Sequence, residues 1–328
     1  MTDVRFRDSG PRNEPPAVAA VSASGPVERP SAASEATTHP VVDVLRDVAT
    51  QTKTRPRPGR LGWTARTIAT GLIDPGAIEA HDAEHRFVAA LRAPQMSGRV
   101  VGVVAGKGGV GGTTVAIGLA RTFAALRDDA VALVDGHAAA GLSLSQRVLG
   151  RRGHTIREFG RSPRSLGRRG LHVFDAASWT DPADGPEIEV ATRRLVATHS
   201  FTILDAGNDA SPAAQAALAL ADEMIVVTSA EPAALASVAP TIERVAARPG
   251  GRGTGVTVVV VLTRPTPTVR ARRRLRSHLD TPSVVIPYDP ALADGVGADL
   301  DALRRATRAA YLRLAAAVVN MQDRTEAE

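Results

Sequence analysis

The sequence predicts an α/β chain: a doubly wound, mostly parallel sheet with helices on both faces, preceded by a Pro-rich tail. Three observations predict it. From Arg99 onward, short runs of Val, Ile, Leu and Ala alternate with stretches of helical period. The runs are continuously apolar, as strands covered on both faces are. A glycine-rich turn, VAGKGGVGGTT, joins the first run to the first helical stretch. Such a turn at the start of a helix exposes backbone N–H groups that can cradle an anion.

The elements come in order. Residues 1–58 are rich in Pro, Ala, Ser, Thr and charge, without a sustained period, and read as a disordered tail. The tail closes on RPRPGR, Arg55 to Arg60, a basic patch read as a solvated linker, with an acidic partner or a membrane surface as the alternative contact. Residues 59–98 form a helical lead-in, broken into two pieces at Asp74-Pro75-Gly76. Its second piece spaces Ile78, Phe87, Val88 and Leu91 for packing on the main domain.

The main domain spans 99–320. Its strand-like runs are VVGVVA, AVALVD (130–135), LHVFDA (171–176), FTILDA (201–206), EMIVVT (223–228), GVTVVVVL (255–262) and SVVIP (283–287). Helical patterns lie between most of them: TTVAIGLARTFAALR, EIEVATRRLVATH, SPAAQAALALAD, EPAALASVAPTIERVAA and PTVRARRRLRSHL. Right-handed crossovers turn this alternation into a doubly wound sheet. A last helix, about 298–320, repeats Leu300, Leu303, Ala310, Leu314 and Val318, and residues 321–328 form a short acidic tail.

Composition narrows the classes. The chain has 328 residues, 44% of them hydrophobic but only 3% aromatic, so the core is aliphatic. It has no cysteine, which excludes disulfides and thiolate metal sites. No apolar run reaches the roughly 18 residues of a membrane span, and the N-terminus lacks an apolar signal core, so the expected compartment is the cytoplasm. The formal charge of +6 is compatible with anionic partners but modest for this length. Of the 40 basic residues only Lys53 and Lys107 are lysine, and Lys107 stands inside the glycine-rich turn.

The turn matches the phosphate-binding pattern G-x-x-x-x-G-K-[ST] at Gly106, Gly111 and Thr113, with Gly112 where the lysine belongs. It resembles the deviant Walker A motif, K-G-G-V-G-K-[ST]-[ST], of the ParA/MinD family of partitioning and positioning ATPases. The resemblance covers about 99–316. The lead-in and tail loosely resemble the ParA-like proteins that accompany type VII secretion.

The resemblance implies a set of site residues. Gly106, Lys107, Gly108, Gly109, Val110, Gly111, Gly112, Thr113 and Thr114 would line the nucleotide phosphates, with Lys107 as the signature lysine that reaches across a dimer. Thr113 would ligate Mg²⁺, and Asp205 would hold it through water. Asp135 matches the first acid of the family's D-x-D motif. His137 stands where the second, water-orienting acid belongs, and is expected to be a solvated loop residue without a catalytic role. Pro287 and Tyr288 match the segment beside the base, and Thr263 takes the place of an adenine-recognising Asn.

Two chemical positions are therefore lost. A lysine on the phosphates contributes about 1.5–3 kcal/mol, so its absence weakens binding roughly 10- to 100-fold. Phosphoryl transfer depends on positioning and charge, and losing one such donor commonly costs about 10²–10³ in turnover. The expectation is weak binding of ATP and Mg²⁺ or none, with hydrolysis close to background. The preferred reading is a degenerate ParA/MinD-like protein that works through protein partners, secretion or cell-pole machinery among them. A working ATP-dependent dimeric switch is the alternative.

DNA is a third candidate partner, through Arg151 to Arg169 and Arg270 to Arg276 with His278, although neither cluster interleaves aromatics. His81 and His85 have a metal-binding spacing, but without a third ligand in view they read as surface histidines. The chain ends NMQDRTEAE, unlike a membrane-targeting helix.

Overall fold

The computed structural model describes residues 75–95, 97–137, 142–161, 167–176, 183–208, 211–247, 256–261, 283–293 and 299–325, all within the unit Thr38–Glu328. The tail, the first lead-in helix, Thr263 and the arginines of 270–276 lie outside the described residues.

Apolar runs form strands where the sequence predicts them. The chain runs α1 (Pro75–Arg92), β1 (Arg99–Ala105), α2 (Gly112–Leu126), β2 (Ala130–Asp135), α3 (Leu144–Leu149), β3 (His154–Thr155), α4 (Ile156–Arg161) and β4 (Gly170–Asp175). It continues with α5 (Gly185–Val196), β5 (Phe201–Asp205), α6 (Pro212–Leu220), β6 (Glu223–Ser229), α7 (Pro232–Ala236) and α8 (Val238–Ala246). Last come β7 (Val256–Val261), β8 (Ser283–Ile286) and α9 (Arg305–Thr325). The eight strands form one sheet in the order β3-β4-β2-β5-β1-β6-β7-β8, with every described pairing parallel.

Both faces of the central strands are covered. β2, β5 and β6 are buried at every position, which is why their sequences are mainly apolar and do not alternate, with charged or polar residues chiefly at their ends. The pleat sends alternate side chains to two separate cores. Val101 and Val103 of β1 join Leu119 and Phe123 of α2 and Tyr311 and Leu314 of α9. Val100 and Val104 join Ile188 and Leu195 of α5, Ala214 of α6 and Ile242 of α8. Full burial of one such Leu, Ile or Phe contributes about 1.5–3 kcal/mol. With few aromatics available, the Phe123–Phe201 stack, at 4.0 Å between centroids, ties α2 to β5.

Several elements differ from the periodicity. The stretch 231–247 predicts one helix but forms α7 and α8, separated at Ser237. Pro240 has no N–H to offer Ala236, so the helical ladder cannot run through. Helices α3 and α4 and the short strand β3 were not predicted: six-residue helices and a two-residue strand are too short to display a period. The last helix starts at Arg305, not near 298, because Leu300–Ala302 is a single 3₁₀ turn; it runs on to Thr325. Leu303 is buried all the same, at 4% exposure.

Strand β1 lies between β5 and β6, so its C-terminal end is where the order of strands reverses direction. In open α/β sheets the crevice at that point is the usual ligand site.

Candidate functional site

The glycine-rich turn occupies that crevice. It leaves β1 at Ala105 and enters α2 at Gly112. Two glycines in it adopt left-handed backbone, Gly109 at φ 79 and Gly111 at φ 96, conformations that other residues enter only with strain. Gly106 is small for a different reason: a Cβ there would meet the Ser237 and Thr241 hydroxyls at 2.5 and 2.6 Å. Val110 is the turn's buried anchor. Gly111 caps α2 without any side-chain hydrogen bond, so the first-turn N–H groups of the helix face the crevice uncapped. A helix start of this kind attracts anions.

Around the turn, Thr113 and Thr114 are half-buried on the first turn of α2. The Thr114 carbonyl accepts a hydrogen bond from the buried Tyr311 hydroxyl of α9, at 3.1 Å. Gly112 stands where a lysine would reach the phosphates. A Cβ there would lie 3.3 Å from that of Ala105, a contact that small shifts accommodate. Lys107 is half-exposed and its Nζ lies 3.7 Å from Glu231 Oε2 at the start of α7.

The two predicted acids are neighbours. Asp135 and Asp205 end β2 and β5 and are paired across the sheet, in line with Val103 on β1. Asp205 is buried; its Oδ1 accepts from the Gly207 N–H at 3.2 Å, while its Oδ2 has no hydrogen-bond partner among the described residues. A buried carboxylate oxygen left unpaired is uncommon and suits a site that receives metal-bound water. Burial raises the Asp135 carboxyl above its ordinary range, with His137 opposing and the Asp205 charge adding to the rise.

His137 is not a solvated loop side chain. Its backbone N–H donates to Asp135 Oδ1 at 3.1 Å, and its ring Nδ1 lies 3.3 Å from that oxygen and 3.3 Å from the Asp205 carbonyl. The ring packs on Gly207, whose φ of 61 and missing side chain make room: a Cβ there would sit 2.6 Å from the ring. Burial would lower the His137 imidazole. The hydrogen bond to Asp135 and the charges of Asp205 and Asp135 outweigh it and hold the pKa at about 9. A cation thus stands beside the strand-end acids at neutral pH.

Sequence reasoning missed three contributors. Glu231 lies too far along the chain to be linked with Lys107. Tyr311 supports the turn from the last helix. Gly207 was legible in principle, since a glycine two residues after a strand-end acid marks a turn that feeds its N–H back to the carboxylate.

Other predicted residues sit elsewhere. Pro287 and Tyr288 come after β8 and are half-buried, with Tyr288 packed on the core of the α5–α6 face. Arg151, Arg152, Arg161, Arg168 and Arg169 are exposed near β3 and β4, at one edge of the sheet. His85 is exposed on α1, and among the described residues no group of three or more ligating side chains could hold a metal. No helix there is long and apolar enough to cross a membrane.

No protein-family model matches the sequence, and no curated protein does. Solved structures do match. The MinC:MinD cell division complex of Aquifex aeolicus is 20% identical, with a TM-score of 0.52 over 70% of this chain and 96% of the other. The septum site-determining protein MinD of Pyrococcus horikoshii, complexed with Mg-ADP, is 20% identical at 0.52, over 66% and 94%. A ParA family ATPase of Chlorobium tepidum is 15% identical at 0.52, over 66% and 98%. Identities this low speak for architecture alone, and in architecture the chain has the ParA/MinD-like P-loop fold.

Proposed function

We propose that the protein is a degenerate ParA/MinD-like P-loop protein that binds nucleotide weakly, hydrolyses it at close to background rate, and acts as an interaction partner in positioning or secretion machinery. The observation that carries this reading is the pair of substitutions at one crevice. Gly112 takes the place of the phosphate lysine, and His137, hydrogen-bonded to Asp135, takes the place of the second acid. The cradle itself suits a polyphosphate: open glycine backbone, an uncapped helix start and an unpaired Asp205 oxygen.

In this reading the N–H groups of residues 108–114 hold the phosphates, while Thr113 and Asp205 hold the magnesium. Bound magnesium would supply charge neutralisation at the phosphates. Asp135 is occupied by His137 and Asp205 is assigned to the magnesium, which among the described residues leaves no further strand-end carboxylate to orient a water, so the turnover step lacks its base. Weak binding results from the missing lysine, at roughly 10- to 100-fold. The Mg-ADP complex of the Pyrococcus horikoshii neighbour and the MinC partner of the Aquifex aeolicus one support, by analogy, nucleotide and protein ligands here.

Calorimetry of Mg-ATP on the native chain and on Gly112→Lys tests this. The native protein should bind only toward millimolar ATP, and the variant about 10- to 100-fold tighter. Micromolar binding by the native chain would refute the proposal. It would favour the dimeric ATPase switch, a reading supported by Lys107, whose ion pair among the described residues is a half-exposed, 3.7 Å contact that leaves it available to a second copy.

A further inference from the structure

The charges around the glycine turn are out of balance for a ligand with three phosphates. Among the described residues, three acids stand at this crevice, Asp135, Asp205 and Glu231, against two cations, Lys107 and His137. Each cation already faces an acid. Lys107 Nζ lies 3.7 Å from Glu231 Oε2, and His137 Nδ1 lies 3.3 Å from Asp135 Oδ1. Asp205, 1% exposed, forms no ion pair among the described residues. With His137 charged, its most favourable state, one acid is still left over.

The segment after Asp205 is fastened to the foot of the turn. The Ala105 N–H donates to the Gly207 carbonyl at 2.8 Å. Asn208, exposed, brings its side-chain amide to 3.5 Å from where a Cβ on Gly108 would lie. This wall of the crevice therefore offers a neutral donor and adds no positive charge to replace the lysine missing at Gly112.

The phosphates of a nucleotide do not suffer equally from that loss. In a glycine-rich loop of this kind the backbone N–H groups hold the inner phosphates, and the lysine reaches the two outer ones. The N–H groups survive here: Gly109 and Gly111 keep their left-handed backbone, and α2 starts uncapped. A diphosphate ends within the part of the cradle that remains. A third phosphate would be joined to the second by the metal, which is assigned to Thr113 and Asp205. Its added negative charge then comes beside the unpaired acid and meets no lysine. Like charges in such a setting weaken binding roughly 3- to 10-fold.

We infer that the crevice is a nucleoside diphosphate site, holding a diphosphate on the N–H groups of residues 108–114 more tightly than the corresponding triphosphate. The inference rests on the nucleotide reading above and adds its ligand class. A domain held on a diphosphate has no terminal phosphate to lose. Its contact with a partner is then set by ligand concentration and not by a hydrolysis cycle.

Calorimetric titration of the full chain with Mg-ADP and, separately, with Mg-ATP tests this. The native protein should bind ADP about 3- to 10-fold more tightly than ATP. Gly112→Lys should tighten ATP about 10- to 100-fold and ADP by less, because only the triphosphate offers the lysine both outer phosphates, so the order reverses. Unchanged circular dichroism shows that the variant keeps the fold; should it not, the order of the two nucleotides on the native chain decides alone. Tighter ATP than ADP on the native chain overturns the inference, and leaves the weak-site reading standing where ATP still needs millimolar concentration. Equal tightening of both nucleotides by Gly112→Lys also overturns it, since residue 112 would then not distinguish the third phosphate. No heat from either nucleotide at millimolar concentration overturns the inference and the nucleotide reading together.

Discussion

The two ends of the sheet treat histidine in opposite ways. At the C-terminal ends of the strands, His137 is held up at a pKa of about 9. Toward the N-terminal ends, His199, just before β5, is pushed down to about 4. Both side chains lie largely out of solvent, so burial pulls both pKa values down. What differs is the company. His137 faces Asp135 and the charge of Asp205, whereas His199 makes its contact at 2.8 Å with another imidazole, that of His172. One end of the sheet collects carboxylates and can keep a cation; the other holds two histidines that resist becoming cations. Parallel strands put the first arrangement at the crevice, because neighbouring strands there end in Asp.

The sharpest way to break this comparison is Gly207→Ala. The backbone at φ 61 costs a β-carbon about 1–2 kcal/mol, and the new atom would displace the His137 ring, 2.6 Å away. We expect a total loss of about 3–5 kcal/mol by urea unfolding. In a His137→Ala background the same substitution should cost only the backbone strain. Coupling near zero in that double-mutant cycle would mean that the ring is not seated on Gly207.

His137→Ala alone sharpens it further. The folded-state pKa, about 9, lies above the ordinary 6.5. The native state therefore holds its proton more tightly. This stabilisation is complete below pH 6.5, shrinks as the pH rises, and is gone above about 9. A 2.5-unit difference corresponds to roughly 3 kcal/mol. The variant should be destabilised by about 2–3 kcal/mol at pH 6 and by less at pH 9.5, where only packing is lost. An equal deficit at both pH values would show an uncharged histidine.

How much of this was legible in the sequence depends on how far apart the cooperating residues are. The strands β1, β2, β4, β5, β6, β7 and β8 were legible, because continuous Val, Ile and Leu runs between helical patterns have few other solutions. So was the glycine turn, whose chemistry is local. The alignment of Asp135 with Asp205 required only that two apolar runs, AVALVD and FTILD, end in acid at a common level. The setting of His137 was not legible: two of its contacts, the Asp205 carbonyl and Gly207, come from 68 and more residues away. A histidine after a strand reads as a loop residue until the neighbouring strand is known. Similarly, α3 is tied to β4 by a buried contact between residues 30 apart, the Ser145 N–H to Asp175 Oδ1 at 2.7 Å, that leaves no periodic trace.

The His172–His199 pair gives the smallest and most distinct effect. His199 is 3% exposed, and its Nδ1 lies 3.2 Å from the Leu195 carbonyl. Burial lowers its pKa first and the neighbouring His172 lowers it further, while the Leu195 carbonyl opposes. Here the sign reverses. An unfolded His199 takes up a proton near pH 6.5, whereas the folded one resists until about 4. Stability from this group is therefore complete above pH 6.5 and falls away as the pH drops toward 4. The loss approaches roughly 2–3 kcal/mol, shared with His172, whose pKa is also lowered. His199→Asn gives up some packing at pH 7 but removes the titration, so its unfolding free energy should decline less than the native protein's between pH 6.5 and 4. Parallel declines for the two proteins would mean that the pair accepts a proton in place and shares it across the 2.8 Å contact, which would make this end of the sheet resemble the other after all.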